Sequence, residues 1–234
     1  MRLLAALAAL AFFTFTAPLH AQDAAGAHAA GPPDLIMPRV SAPITIFSPR
    51  EMAGDHGMGN PKAPVTVIQY GSVACPICAR VNDQFLPAFK VKYVDTGKVR
   101  YIYRPMMTGN VPVAAAGHLL AQCAGKEKYF EVIDAIMRSQ NEMDQGGEPE
   151  QYANARPVLL RIAEAAGLSE DQFNACIQDP KGIQTLNDEN DHALKAGIDA
   201  TPTFFVNGEK LVLRTGDIRD FDKDFDVMIQ PMLK

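Results

Sequence analysis

Two kinds of apolar pattern alternate along this chain: short runs rich in β-branched and aromatic residues, and longer stretches with apolar positions every three or four residues. Val65 to Tyr70, bounded by Pro64 and Gly71, has the first pattern and predicts a buried strand. Val81, Phe85, Leu86 and Phe89 follow at helical spacing, and Tyr93 and Val94 extend the stripe. Pro87 falls inside that stripe and predicts a kink, because proline lacks the N–H the helix needs. Gly97 ends the helix and Val99 to Tyr103 forms a second strand. A right-handed crossover would make the two strands parallel.

From about Met107 to Gly197 the helical pattern dominates. Pro112 to Cys123 is rich in Ala and Leu, and Tyr129, Phe130, Ile133, Ile136 and Met137 mark an amphipathic helix. Gln140 to Ala155 is polar and reads as a loop, and Val158 to Ala166 as a helix stopped by Gly167. Ser169 and Gln172 have the spacing of a capping box, with Leu168 and Phe173 as a staple across it. A weaker helix spans Ile183 to Ala196. Strand character returns at Thr203 to Val206, and a four-residue loop opening with Asn207-Gly208 leads to Leu211–Leu213, which predicts an antiparallel hairpin. Phe221, Phe225, Met228 and Ile229 supply a closing helix. The order is α/β: strand–helix–strand, a helical block, then helix–strand–strand–helix.

The first residues change the picture of where this chain works. Met1-Arg2, an uncharged apolar run from Leu3 to Ala17, and Leu19-His20-Ala21 follow the order of a secretory signal, so residues 1–21 read as a signal peptide. That run is shorter than the ~20 residues of a membrane span. Residues 22–58 read as a flexible linker rich in Ala, Gly and Pro, with Ile44 to Phe47 as a short edge strand, and the folded domain is placed at 59–234. Of the 234 residues, the charged ones sum to −5, or −6 once Arg2 is removed. An acidic chain offers no electrostatic footprint for nucleic acid. Four Cys are too few to build the fold from disulfides, but an even count in an exported chain suggests pairing.

Cys75-Pro76-Ile77-Cys78 stands where the first strand ends and the helix begins. There the unpaired N–H groups and the positive end of the helix dipole favour a thiolate. Pro76 suits the first helical position. Cys78 lies one turn on, which makes Cys75 the exposed nucleophile and Cys78 the buried resolving thiol. Residue 79 is Ala, so the covalent haem signature is absent, and a zinc site would need two further ligands. A purely structural Cys75–Cys78 disulfide is the remaining alternative. Thr201-Pro202 precedes the strand Thr203–Val206; from the residues alone, an ordinary trans proline suits that place as well as a cis one.

The Cys75–Cys78 motif after a strand, the segment Gly197-Ile198-Asp199-Ala200-Thr201-Pro202-Thr203-Phe204-Phe205-Val206-Asn207-Gly208, and the lead-in from Asp55 to Val65 closely resemble the DsbA-like branch of thioredoxin-fold proteins. The resemblance spans about residues 55 to 234. It implies a thioredoxin-like fold with an inserted α-helical domain at about 107–197, periplasmic thiol–disulfide exchange through Cys75 and Cys78, and Pro202 in cis opposite the pair. Thr201 and Pro202, with Pro76 and Ile77, would line the site where a substrate segment docks. No diffusible cofactor is implied. The implied partners are exported Cys-containing proteins and a membrane redox partner, either a quinone-linked reoxidase or a thiol reductant. Dithiol oxidation is the expected direction, with reduction or isomerisation as the alternative.

Two positions depart from the pattern. Strong oxidases of the family carry His where this chain has Ile77, and many members hold a buried acid where it has Gln69. Both changes point to a weaker oxidant. Some members carry an extra pair, and a Cys123–Cys176 bridge would close a loop of about 54 residues, worth ~4 kcal/mol in the chain-entropy account. Two free thiols or a second redox pair are the alternatives there. His118 and His192 read as structural. Met52, His56 and Met58 are soft-ligand types that would suit a metal-binding or metallochaperone protein, the rival reading.

Overall fold

Strand β2 (Val65–Gly71) lies at the centre of a five-stranded sheet and divides its side chains between two cores. The computed structural model describes residues 51–143 and 152–234. The signal peptide expected at 1–21, the Ile44–Phe47 strand and the linker as far as residue 50 lie outside the described residues. On one face of the sheet Val65 and Val67 join Val99, Tyr101, Tyr103, Phe204 and Val206 in the main core. On the other, Ile68, Tyr70 and Ile102 pack with Met106, Ala193 and Ile198. This is the period-2 division expected of a strand covered on both sides.

The order across the sheet is β1 (His56–Met58), β3 (Val99–Pro105), β2, β4 (Thr203–Val206) and β5 (Glu209–Lys210). β2 and β3 are parallel, with Val67 opposite Tyr101, whereas β1, β4 and β5 pair antiparallel with their neighbours. The architecture is an α/β thioredoxin fold with an inserted helical subdomain between β3 and β4. Residues 56–58 therefore belong to the sheet and not to a linker. Two arginines of β3 hold this lead-in: Arg100 makes paired hydrogen bonds of 2.9 and 2.6 Å to Glu51, and Arg104 pairs of 2.9 and 2.8 Å to Asp55.

Between β2 and β3 the helical stripe is interrupted. Helix α1 (Pro76–Gln84) ends at Phe85, α2 covers Leu86–Phe89, and a wider π-type turn carries Lys90–Val94. Pro87 cannot donate to the carbonyl four residues earlier, so the ladder breaks there. Phe85 and Phe89 lie 5.0 and 5.1 Å between ring centroids from Phe225 of the last helix, α9 (Phe221–Met232), and Phe204 of β4 lies 5.2 Å from the same ring. This aromatic cluster fixes α1 against the sheet.

The insert holds α3 (Val111–Cys123), α4 (Tyr129–Arg138), a single turn α5 (Gln140–Met143), α6 (Tyr152–Ala165), α7 (Glu170–Ile177) and α8 (Pro180–Lys195). Ser169 and Gln172 form the expected reciprocal capping box on α7. The stretch read as a loop from Gln140 to Ala155 instead contributes α5 and the start of α6. Its polar composition hides the helical period. The hairpin is also tighter than expected: Asn207 (φ 48°) and Gly208 (φ 90°) close it in two residues, so Val206 faces Glu209 and the return strand is 209–210, not 211–213. Positive φ at both turn positions gives the twist that suits a two-residue hairpin.

Candidate active site

Cys75 is the residue that caps α1, extended at φ −90° and ψ 120°, with Pro76 in the first helical position. Its N–H donates to the Ser72 carbonyl at 3.1 Å, and its own carbonyl accepts from Ala79 at 3.1 Å, closing the first turn. Cys75 and Cys78 are both free thiols, so the structure is the dithiol form. Cys75 is 8% exposed and Cys78 is fully enclosed.

Donors converge on the Cys75 sulfur. The Cys78 thiol contributes most, and the Thr201 hydroxyl and the backbone N–H groups of Cys78 and Ile77 add to it. Together they outweigh partial burial and bring the Cys75 pKa down to about 5. Burial acts the opposite way on Cys78 and holds its thiol well above the ordinary range, with the neighbouring Cys75 sulfur adding to the effect. One sulfur is thus set up as a thiolate and the other as a thiol, as a helix N-terminus and an enclosed first turn would produce.

The loop before β4 faces the pair. The Thr201–Pro202 peptide bond is cis, and Cys75 Sγ lies 3.4 Å from the Thr201 carbonyl oxygen. Thr203 pairs with Tyr70 at the end of β2, which brings this loop alongside the strand that delivers Cys75. Pro76 and Ile77 are exposed beside the sulfurs, Ile77 at 44%. The structure therefore gathers Cys75, Cys78, Thr201, Pro202, Pro76 and Ile77 in one place. Beside Pro76 opens a groove of about 220 Å³ with Ala74, Val113 and Met143 as apolar walls and Asn110 and Gln140 as polar ones.

The remaining sequence candidates lie elsewhere. Cys123 of α3 and Cys176 of α7 are joined as a disulfide. His118 is fully buried and uncharged at neutral pH, since burial lowers its pKa to about 4. His56 stacks on Tyr129 with ring centroids 3.7 Å apart, and Met58 packs on the main core. Gln69 is buried and its amide carbonyl accepts the Tyr101 hydroxyl.

Three polar residues of the site carry no mark in the sequence. Gln140 Nε2 donates to the carbonyls of Val73 at 2.6 Å and Cys75 at 3.2 Å. Ser72 Oγ donates to the Thr108 carbonyl at 2.8 Å, and the Thr108 and Thr201 hydroxyl oxygens are 2.6 Å apart. Each contact joins segments distant in sequence, so no local pattern announces it.

A sheet of this order with a Cys-Pro-Ile-Cys helix start and a facing cis-proline loop defines a thioredoxin-type redox fold. A thioredoxin family model matches residues 51–222, and the chain belongs to that family, in its DsbA-like branch. A Rickettsia typhi protein named as a protein-disulfide oxidoreductase is 33% identical over 156 residues, which is 66% of this chain and 55% of that protein. The chain thus spans about half the length of the curated relatives it matches. The crystal structure of Wolbachia pipientis alpha-DsbA1 is 27% identical, with a TM-score of 0.67, covering 80% of this chain and 98% of that one. BdbD of Bacillus subtilis, at 19% identity, shares the fold with a TM-score of 0.66 over 79% of this chain and 95% of its own.

Proposed function

We propose that this chain is an exported thiol–disulfide oxidoreductase that acts as a dithiol oxidase on Cys-containing proteins, using Cys75 and Cys78. Residues 1–21 direct export, and the folded domain works in the periplasm. In its disulfide form a substrate thiolate attacks Cys75 Sγ, the Cys75–Cys78 bond breaks, and Cys78 departs and takes up a proton. A second substrate thiolate then attacks the substrate sulfur of the mixed disulfide and releases Cys75 as a thiolate. Two substrate thiols lose two electrons, and the Cys75–Cys78 disulfide gains them. A quinone-linked membrane partner restores the disulfide.

The observation that carries this reading is the opposed state of the two sulfurs, Cys75 brought down to about 5 and Cys78 pushed up. A stabilised Cys75 thiolate favours the dithiol form, and that makes the disulfide an oxidant. Thr201, Pro202, Pro76 and Ile77 receive the substrate backbone and side chains, and the apolar groove beside Pro76 takes the flanking residues.

Cys75→Ser should abolish exchange with a disulfide peptide, and Cys78→Ser should accumulate a mixed disulfide through Cys75, read by mass spectrometry. Trapping through Cys78 in the Cys75→Ser protein would reverse the roles. The reduction potential of the pair, measured against glutathione buffers, tests direction: a value as low as that of thioredoxin, ~−270 mV, would make the chain a reductant and overturn the oxidase assignment.

A further inference from the structure

The loop that leaves β3 is pressed onto the loop that carries Cys75. Met106 N–H donates to the Gly71 carbonyl at 2.7 Å, and the Thr108 carbonyl accepts from Ser72 Oγ at 2.8 Å. Gly109 has φ +74°, and a Cβ there would collide with the Ala74 carbonyl oxygen, so only glycine lets the two backbones come this close. The result is that Thr108 Oγ1 sits 2.6 Å from Thr201 Oγ1, across 93 residues of sequence.

Each threonine hydroxyl has one hydrogen and two lone pairs, so at this distance one of the two must donate to the other. The direction matters because Thr201 faces the pair: its carbonyl oxygen lies 3.4 Å from Cys75 Sγ, and its hydroxyl is among the donors that lower the Cys75 pKa. If Thr201 gave its hydrogen to Thr108, it would turn lone pairs towards a negative Cys75 Sγ. If Thr108 gives its hydrogen instead, that of Thr201 remains for the thiolate, and the accepted bond polarises it into a better donor.

We propose that Thr108 is a positioning residue for Cys75: its hydroxyl donates to Thr201 Oγ1 and so directs the Thr201 hydrogen to the Cys75 thiolate. In the disulfide form no thiolate demands that hydrogen, and the pair can reverse its donor without moving a heavy atom. The assignment deepens the exchange mechanism and rests on it. Thr108 is a contact of Thr201 and not of the sulfur, so its effect passes entirely through residue 201.

The test is to titrate the Cys75 thiolate by ultraviolet absorbance in the reduced full-length protein and in Thr108→Val, Thr108→Ser, Thr201→Val and the Thr108→Val/Thr201→Val double variant. Thr108→Val should weaken Cys75 as an acid by about two- to fourfold, from the polarisation expected of one chained hydrogen bond. Thr108→Ser, which keeps the hydroxyl, should restore the wild-type value. In the Thr201→Val background the Thr108→Val change should have no effect. An unchanged titration in Thr108→Val, or an equal shift with residue 201 already Val, would overturn the proposal. So would a stronger acid in Thr108→Val, because Thr108 would then compete for the Thr201 hydrogen. Wild-type exchange with a disulfide peptide is measured alongside: its absence strikes at the exchange reading, whereas its presence with an unmoved Thr108→Val titration strikes at Thr108 alone.

Discussion

Ile77 makes two separate contributions at the helix start. Its backbone N–H is aimed at Cys75 Sγ and would be there with any side chain, while the side chain itself stands 44% exposed and offers only apolar surface. Replacing it by His adds a donor next to a thiolate already near 5 without disturbing a buried contact. A charge-assisted bond of this kind should lower the Cys75 pKa by about one unit and raise the potential by ~30 mV, the value of a tenfold change for two electrons. Ultraviolet titration and glutathione equilibration read both quantities. An unchanged potential in Ile77→His would show that residue 77 does not set the poise. The Cys pair itself was legible in the sequence because its chemistry is set by residue type and by one local event, a strand giving way to a helix. Thr108 was not, because its partner lies 93 residues away and both sit in irregular loops with no period to read.

At the scale of elements, those marked by their own residues could be read and those that depend on a distant partner could not. β4 (Thr203–Val206) has the expected bounds, and the Ser169 capping box on α7 is present as spelled. β1 has three residues, two of them Gly57 and Met58, and exists because β3 offers it an edge and because Arg100 and Arg104 reach out to Glu51 and Asp55. None of that is written in residues 56–58 alone. The Cys123–Cys176 bridge belongs to this scale as well, since it ties the end of α3 to α7 within the insert. It is a separate pair from the free Cys75 and Cys78 of the α1 start. Double replacement of Cys123 and Cys176 by Ala should cost ~2–4 kcal/mol in denaturant unfolding and leave peptide exchange within about twofold of wild type. A stable but inactive double variant would instead make this pair part of the redox chemistry.

For the whole molecule, the Cys75 site links redox state to folding stability, with a sign that can be worked out. In the reduced protein the Cys75 thiol falls from the ordinary range in the unfolded chain, ~8.5, to about 5 in the fold. Between those values the folded state holds fewer protons than the unfolded one, so stability rises with pH; it is lost as pH falls through about 5. Cys78, raised by burial, acts only above its unfolded value, where the unfolded chain gives up a proton the fold retains and stability declines again. The oxidised protein has neither thiol, so between pH 5 and pH 8 the Cys75 thiol is the group that titrates in one form and is missing from the other. Reduced-minus-oxidised stability should therefore climb from about pH 5 to pH 8, level off, and turn down in more alkaline solution. At pH 7 the Cys75 contribution is roughly 2–3 kcal/mol, which for a domain of this size corresponds to roughly 4–12 °C in melting temperature. Thermal melts of both forms across that range provide the measurement, and Cys75→Ser melted in place of the reduced protein is the control: measured against the oxidised wild type, it should lose the rise from pH 5 to pH 8. A difference that stays flat from pH 5 to pH 8 would mean that the fold does not stabilise the Cys75 thiolate, and the oxidising direction would lose its physical basis.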